Sequence, residues 1–311
     1  MEIKLKAGVN DHNRRLDRIL RKTLPDCSLS LIHRLLRQGK VLVNGVPAGP
    51  NEHIQSGSEI QVELSVNSPC RKVNDIGPVS SDLLPEILWR GSGIIIFNKP
   101  SGLQTHGRHS LDSLVTAYLA GVLPPSLSFK PGPLHRLDKQ TSGAIAFSES
   151  IEGARLFSRL LQERKLLKTY LAIVEGNISG EKVWQDTLVR DRSVQKTKVT
   201  ESIDAKDAFT KIKSIASNTR YSLVEAVITT GRTHQIRAQA AAHGHPLAGD
   251  RKYGGHGLNG FFLHAWKMEF GDSVDFPRLI IAPLPELFQS QIKKFFNNKS
   301  YLADSLNSSF K

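Results

Sequence analysis

The sequence predicts a two-domain protein that mixes helices and strands, of the α/β or α+β class. Its 311 residues suffice for about two domains of ordinary size. Hydrophobic residues make up 39% of the chain and charged residues 23%, which is a composition that forms a packed core. Beyond residue 85, short runs with strand character alternate with amphipathic helical segments.

The chain is strongly basic, with 42 Lys and Arg against 29 Asp and Glu and a formal net charge of +13. This balance favours a polyanionic partner, with nucleic acid ahead of an anionic membrane surface. No apolar run approaches the roughly 20 residues of a membrane span, and the N-terminus lacks the apolar segment of a secretion signal. Two cysteines are too few for a disulfide scaffold or a four-ligand zinc site. We therefore expect a cytoplasmic protein that binds nucleic acid and no membrane.

Residues 1–65 are predicted to form a small basic domain of two helices followed by a hairpin. Apolar residues at helical spacing over 14–24 predict the first helix, and Ser30 is the predicted N-cap of the second. Alternating valines and an Asn-Gly pair over 41–45 indicate a strand and a tight turn, and residues 58–64 are the predicted returning strand.

The second helix carries Arg34 and Arg37 one turn apart, with Lys40 at its end. Three such cations can follow a phosphate backbone, or they can simply form a solvated helix face. The pattern RLDRIL…S…HRLLRQGKVLVNG resembles the alpha-L RNA-binding module of a small-subunit ribosomal protein and of several RNA-modifying enzymes. The resemblance implies that these three residues bind RNA.

The larger domain is predicted over residues 85–296, after a linker at 66–84 and before a flexible tail at 297–311. Its helices are predicted from Ser110 through Val122, over 152–167, after a Thr233 N-cap, and over 283–296. Its strands are predicted over 94–97, 144–148, 170–175, 221–229 and 261–270.

The densest group of chemically reactive residue types is the run HRLDKQTSG at 135–143. Asp138 lies there among Arg136, Lys139 and His135, and nearby cations favour an ionised carboxylate. An ionised Asp in a basic groove can act as a nucleophile or a base. The alternative is an ordinary ion pair in a surface loop.

This run resembles the H-R-L-D-x-x-T-S-G signature of the RluA family of pseudouridine synthases. Further motifs resemble the family's in the expected order: Lys99–Leu103, Lys168–Ala172, Gly231–Arg237, Gly244–Gly254 and Leu263–Ala265. The resemblance, which covers roughly 85–285, implies an α+β catalytic domain with a mixed, mainly antiparallel sheet and flanking helices around a central RNA cleft. An N-terminal alpha-L module is common in RluC- and RluD-like members, which act on large-subunit ribosomal RNA.

The family isomerises uridine to pseudouridine within RNA, after flipping the base from its stack. No atom is gained or lost, so the resemblance implies no cofactor, metal or nucleotide. By resemblance Asp138 is the catalytic carboxylate, Arg237 pairs with it, and Tyr170 stacks on the uracil and is a candidate for assisting proton removal. Arg136 enters the space that the base leaves, or contacts phosphate instead. Leu263 closes the apolar wall of the uracil pocket, or is plain core.

We therefore predict a monomeric RNA pseudouridine synthase that acts on large-subunit ribosomal RNA. A transfer-RNA synthase and a non-catalytic RNA-binding or ribosome-assembly protein are the alternatives. Asp250 is interpreted as a structural turn residue, and the G-x-G-x-x-G run at 255–260 is rejected as a dinucleotide site because no helix is predicted after it.

Overall fold

The computed structural model describes residues 2–64, 84–191, 193–271 and 275–296. The chain divides into two compact units. The N-terminal unit comprises Met1–Leu84, Ser113–Gly132 and Ser148–Ile151, and the larger unit comprises Pro85–Asp112, Pro133–Phe147 and Glu152–Lys311. The predicted tail at 297–311 and the predicted linker at 66–84, apart from Leu84, lie outside the described residues.

Two helices and a small sheet form the N-terminal unit. Its elements are β1 (Glu2–Lys6), β2 (Arg14–Arg15), α1 (Leu16–Thr23), α2 (Leu29–Arg37), β3 (Val41–Val43), β4 (Val46–Pro47), β5 (His53–Ile54) and β6 (Glu59–Glu63). One antiparallel sheet has the order β1-β6-β3-β4, and β2 pairs with β5. The apolar faces of both helices and the buried valines and isoleucines of the sheet form one core.

The two predicted helices and the tight turn are confirmed, but two details of this unit were wrong. Ser28, not Ser30, caps α2, because its side chain lies before the first turn and accepts a hydrogen bond from the Leu31 amide at 3.2 Å. The turn at Asn44 leads into the two-residue β4, whereas β6 pairs with the other side of β3. The strand β1, which pairs with β6, was not predicted.

Asp11 joins the chain near Gly8 to the segment 126–128, which is also part of the N-terminal unit. Its carboxylate is fully buried and accepts hydrogen bonds from the amides of Gly8, Leu127 and Ser128 at 2.8–2.9 Å. The hydroxyls of Ser126 and Ser128 donate to it at 2.8 and 2.5 Å. The Asp11 carboxylate therefore accepts hydrogen bonds from five donors. Loss of the carboxylate would leave buried donors without an acceptor, which costs free energy of folding.

The remaining elements form one large sheet with helices on both faces, except that the helix at 111–120 belongs mainly to the N-terminal unit. They are β7 (Ile87–Gly91), β8 (Ile94–Lys99), α3 (Leu111–Ala120), β9 (Gly132–Pro133), β10 (Ser142–Ser148), α4 (Ile151–Gln162), β11 (Leu166–Glu175), β12 (Glu181–Asp191), β13 (Lys196–Val199), β14 (Lys206–Ser217), β15 (Tyr221–Ile228), α5 (Gln235–Ala242), β16 (Leu263–Phe270), β17 (Leu279–Ile281) and α6 (Glu286–Phe295). The sheet has the order β13-β12-β14-β15-β11-β16-β10-β8-β7, with β17 beside β16 and β9 beside β10.

The sheet is mixed and mainly antiparallel, which confirms the α+β class. Strands β10 and β16 run parallel, whereas β11 runs antiparallel to both β15 and β16. Phe157 and Leu160 of α4 pack on one face of the central strands, and Phe288 and Ile292 of α6 pack in the cluster on the other face. Because both faces are covered, β10 is buried along its whole length.

Several predicted boundaries in the larger unit differ from the structure. The helix predicted over 152–167 ends at Gln162, because β11 already begins at Leu166. Thr233 does not cap α5; His234 occupies the N-cap in a left-handed conformation. Val122, placed on a buried helical stripe, lies beyond the end of α3 and is 47% exposed. In the described part of the chain, no helix is long and apolar enough to cross a membrane.

Replacing Asp11 with Asn should lower the free energy of unfolding by about 2–4 kcal/mol, because buried donors lose their acceptor. Asp26→Asn, which changes an exposed carboxylate of the same unit, should stay within about 0.5 kcal/mol of the wild type. Urea denaturation of the full chain measures both values. Equal stability of the two variants would contradict the assigned role of Asp11.

Candidate active site

The loop that carries Asp138 is held by the last residue of β8 and by the segment that follows this strand. Lys99 is fully buried, and its ammonium donates to three main-chain carbonyls, one of them that of Lys139 at 3.2 Å. The Thr105 hydroxyl donates to the Leu137 carbonyl at 2.8 Å. Burial lowers the pKa of Lys99 to about 8, against the opposing charge of Asp138. The backbone on both sides of Asp138 is thereby fixed.

The far end of the same loop enters the sheet beside β16. Ser142 pairs with His264 in the parallel register, and its hydroxyl lies 2.9 Å from Nδ1 of that histidine. Burial lowers the pKa of His264 to about 4, so the neutral ring donates from Nε2 to the Ala282 carbonyl at 3.0 Å. Gly143 has a φ of +105°, and a Cβ there would lie 2.2 Å from the Ala265 carbonyl oxygen. The T-S-G and L-H-A motifs therefore form one buried junction.

Arg237, in the first turn of α5, connects two carboxylates. Its Nη1 donates to Asp138 Oδ2 at 2.8 Å, while Nε and Nη2 donate to the two oxygens of Asp250 at 2.6 and 2.9 Å. The guanidinium also lies over the rings of Phe261 and Tyr253, at 4.3 and 4.9 Å from their centroids. Burial disfavours its charge, but the carboxylates of Asp250 and Asp138 outweigh that effect and raise the pKa of Arg237.

Tyr170 and Leu263 lie on one face of the central strands. Tyr170 is opposite Ala265, and Leu263 is opposite Ala172, two residues farther along β11. Both side chains are buried, with 6% exposure each. Burial raises the pKa of the Tyr170 hydroxyl, and the nearby charge of Asp138 raises it further, so the phenol is neutral. The structure thus brings Asp138, Tyr170, Arg237 and Leu263 into the same unit.

His234, which the sequence did not single out, adjoins Asp138, and Tyr253 adjoins His234. His234 Nε2 lies 3.5 Å from Asp138 Oδ1, and His234 Nδ1 lies 2.9 Å from the Tyr253 hydroxyl oxygen. Both residues belong to motifs quoted above, but only the fold places His234 beside the carboxylate and Tyr253 behind His234. Asp250, which the sequence indicated as a structural turn residue, is also the buried partner of Arg237, with 2% exposure.

The predicted RNA-binding cations lie in both units. Arg136 is exposed, two residues before Asp138 in the larger unit. On the N-terminal unit, Arg34 and Arg37 are exposed on α2, and Lys40 is partly exposed just beyond it. A cavity of about 510 Å³ is lined by Arg237, Asp250 and Phe261 together with the polar residues Gln140, Arg251, Lys252 and Asn259. Across the described ranges, no group of three His, Cys, Asp or Glu side chains is placed to hold a metal ion.

Residues 93–242 match the RNA pseudouridylate synthase family, and residues 14–60 match the S4 domain. An uncharacterized RNA pseudouridine synthase, YlyB of Bacillus subtilis (strain 168), is 29% identical over 310 residues, which are 96% of this chain and 99% of the relative. The ribosomal large subunit pseudouridine synthase C of Escherichia coli (strain K12) is 30% identical over 292 residues, covering 84% of this chain and 86% of the relative.

Solved structures show the same fold. Human RNA pseudouridylate synthase domain containing 4 superposes with a TM-score of 0.57 at 21% identity, covering 68% of this chain and 92% of the other. The chain therefore belongs to the RluA family of RNA pseudouridine synthases, which are RNA isomerases, and it carries an S4 RNA-binding domain near its N-terminus. The family resemblance and the RNA-binding module inferred from the sequence motifs are confirmed.

Arg237→Lys should lower turnover about 100-fold and leave RNA affinity nearly unchanged. A lysine has one ammonium and cannot replace the three guanidinium donors that bind Asp138 and Asp250, nor the flat contact with Phe261. Single-turnover kinetics and filter binding on the same RNA measure the two effects. Near-normal turnover would refute the importance of this pairing.

Proposed function

We propose that Asp138 is the catalytic carboxylate of this isomerase. The observation that carries the proposal is its direct hydrogen bond to the buried Arg237, which Asp250 holds from the other side. Attack on the anomeric carbon and removal of a proton from the sugar both require an ionised carboxylate with an accessible oxygen. Asp138 is 17% exposed, so it can meet a substrate, whereas Asp250 at 2% cannot.

Tyr170 and Leu263 are proposed to enclose the flipped uracil. A neutral phenol offers a flat ring for stacking, and a leucine on the same sheet face supplies an apolar wall. The low exposure of both side chains fits a pocket that excludes water. Arg136 is exposed in the loop of Asp138, which suits insertion into the RNA where the base has left, or a phosphate contact.

Large-subunit ribosomal RNA is the proposed substrate. Relatives that match most of this chain are named ribosomal large subunit pseudouridine synthase C or D, including that of Neisseria meningitidis at 29% identity over 295 residues. The net charge of +13 and the S4 domain suit a large structured RNA. We further propose that the enzyme acts as a monomer in the cytoplasm. Transfer RNA is the competing substrate, and the test below separates the two.

The first test measures release of tritium from carbon 5 of the uracils in RNA from cells that lack this protein. With large-subunit ribosomal RNA, the wild type should release tritium, and Asp138→Asn should reduce release at least about 1,000-fold, because an amide can neither attack nor accept the proton. Tritium release from transfer RNA, without release from ribosomal RNA, would show that transfer RNA is the substrate instead. Release by Asp138→Asn at the wild-type rate would refute the proposed residue.

Charge removal on α2 tests the role of the S4 domain. Arg34→Gln/Arg37→Gln should lower the dependence of log affinity on log salt concentration by about 0.7 for each lost phosphate contact. Lys4→Gln removes one charge from an exposed side chain on β1 and should leave the dependence unchanged. Deleting the whole domain is a poorer test, because the deletion would also remove Asp11, the acceptor of the hydrogen bonds from residues 126–128. Equal salt dependence of the double variant and the wild type would contradict RNA binding by this face.

A further inference from the structure

The two oxygens of Asp138 are held unequally. Oδ2 accepts a charge-assisted hydrogen bond from Arg237 at 2.8 Å, whereas Oδ1 has a contact of 3.5 Å with His234 Nε2. The long contact restrains Oδ1 but leaves it available to a substrate. Both partners come from the start of α5, so one turn of backbone orients both oxygens.

Tyr253 and Asp138 together determine which nitrogen of His234 carries a proton. The Thr197 amide can only donate, so the Tyr253 oxygen accepts from it at 2.9 Å. The Tyr253 hydroxyl hydrogen remains available to donate to His234 Nδ1, at 2.9 Å, while Asp138 Oδ1 on the other side of the ring can only accept. Burial lowers the pKa of His234 to about 4, and nearby cations oppose the attraction of Asp138, so the ring is neutral at pH 7. Its single proton therefore lies on Nε2, facing Asp138.

The backbone at His234 gives a second, independent indication. This residue has a φ of +54° and a ψ of +24°, a left-handed conformation that glycine adopts without penalty. Its side chain makes no N-cap hydrogen bond to α5, so helix capping does not account for a histidine here. A strained residue whose side chain contributes nothing to the helix end is typical of a functional position.

We propose that His234 is a positioning residue that directs Oδ1 of Asp138 toward the substrate, in the tautomer that Tyr253 and Asp138 together favour. The proposal rests on the proposed role of Asp138. Oδ1 is then the oxygen that reacts, Oδ2 stays on Arg237, and the Thr197–Tyr253–His234 chain fixes the direction of the carboxylate.

Three variants test this proposal in single-turnover assays at saturating RNA. His234→Gly removes the imidazole and relieves the backbone strain, so it should fold at least as well as the wild type but react about 10–100-fold more slowly, with RNA affinity within about twofold. His234→Gln, whose amide donates near the position of Nε2, should react faster than His234→Gly. Tyr253→Phe alone should slow the reaction, but it should not slow His234→Gly any further, since the Tyr253 hydroxyl reaches Asp138 only through the imidazole.

A normal rate for His234→Gly would overturn the proposal, and so would additive effects of His234→Gly and Tyr253→Phe. Asp138→Asn in the same assay separates the two levels of inference. If Asp138→Asn is inactive and His234→Gly is normal, only the role of His234 fails. If Asp138→Asn is active, the catalytic assignment fails first.

Discussion

The site depends on a single buried cation shared by two carboxylates. A guanidinium removed from water costs several kcal/mol unless its donors are satisfied, and Asp250 alone satisfies two of those of Arg237. A third donor, on Nη1, is directed at Asp138, and Phe261 and Tyr253 restrict movement of the guanidinium plane. The cluster contains two carboxylates and one cation. Arg237 therefore orients Asp138 through one oxygen, and the Asp138 side chain stays partly exposed.

The sheet converts this interaction into a fixed geometry. The parallel pair β10–β16 brings the end of the Asp138 loop against the strand that carries Leu263, and Gly143 permits an approach that any side chain would block. The buried Lys99 ties the other side of the loop to the segment after β8. The motifs at 99–103, 141–143 and 263–265 thus have packing or hydrogen-bonding reasons for their positions.

Local signals predicted the elements of this protein better than its contacts. Asn44–Gly45 specifies its own turn through positive φ angles, and β10 appears as an apolar run because both of its faces are buried. Strands β12 to β14 were missed because exposed polar residues interrupt their alternation. The pairing of Asp250 with Arg237 and the contact of His234 with Asp138 join residues from different elements. Spacing along the chain does not contain that information. Only the folded structure shows that Asp250 binds Arg237 and that His234 lies beside Asp138.

The most direct measurement is the single-turnover rate of Asp250→Asn at saturating RNA, together with its RNA affinity. Asp250 is buried behind Arg237 and, in this account, acts only by holding that guanidinium on Asp138. The rate should fall about 10–100-fold while RNA affinity stays within about twofold, because an amide cannot balance the charge of Arg237. A wild-type rate in a folded Asp250→Asn protein would contradict the dependence of the site on the shared cation.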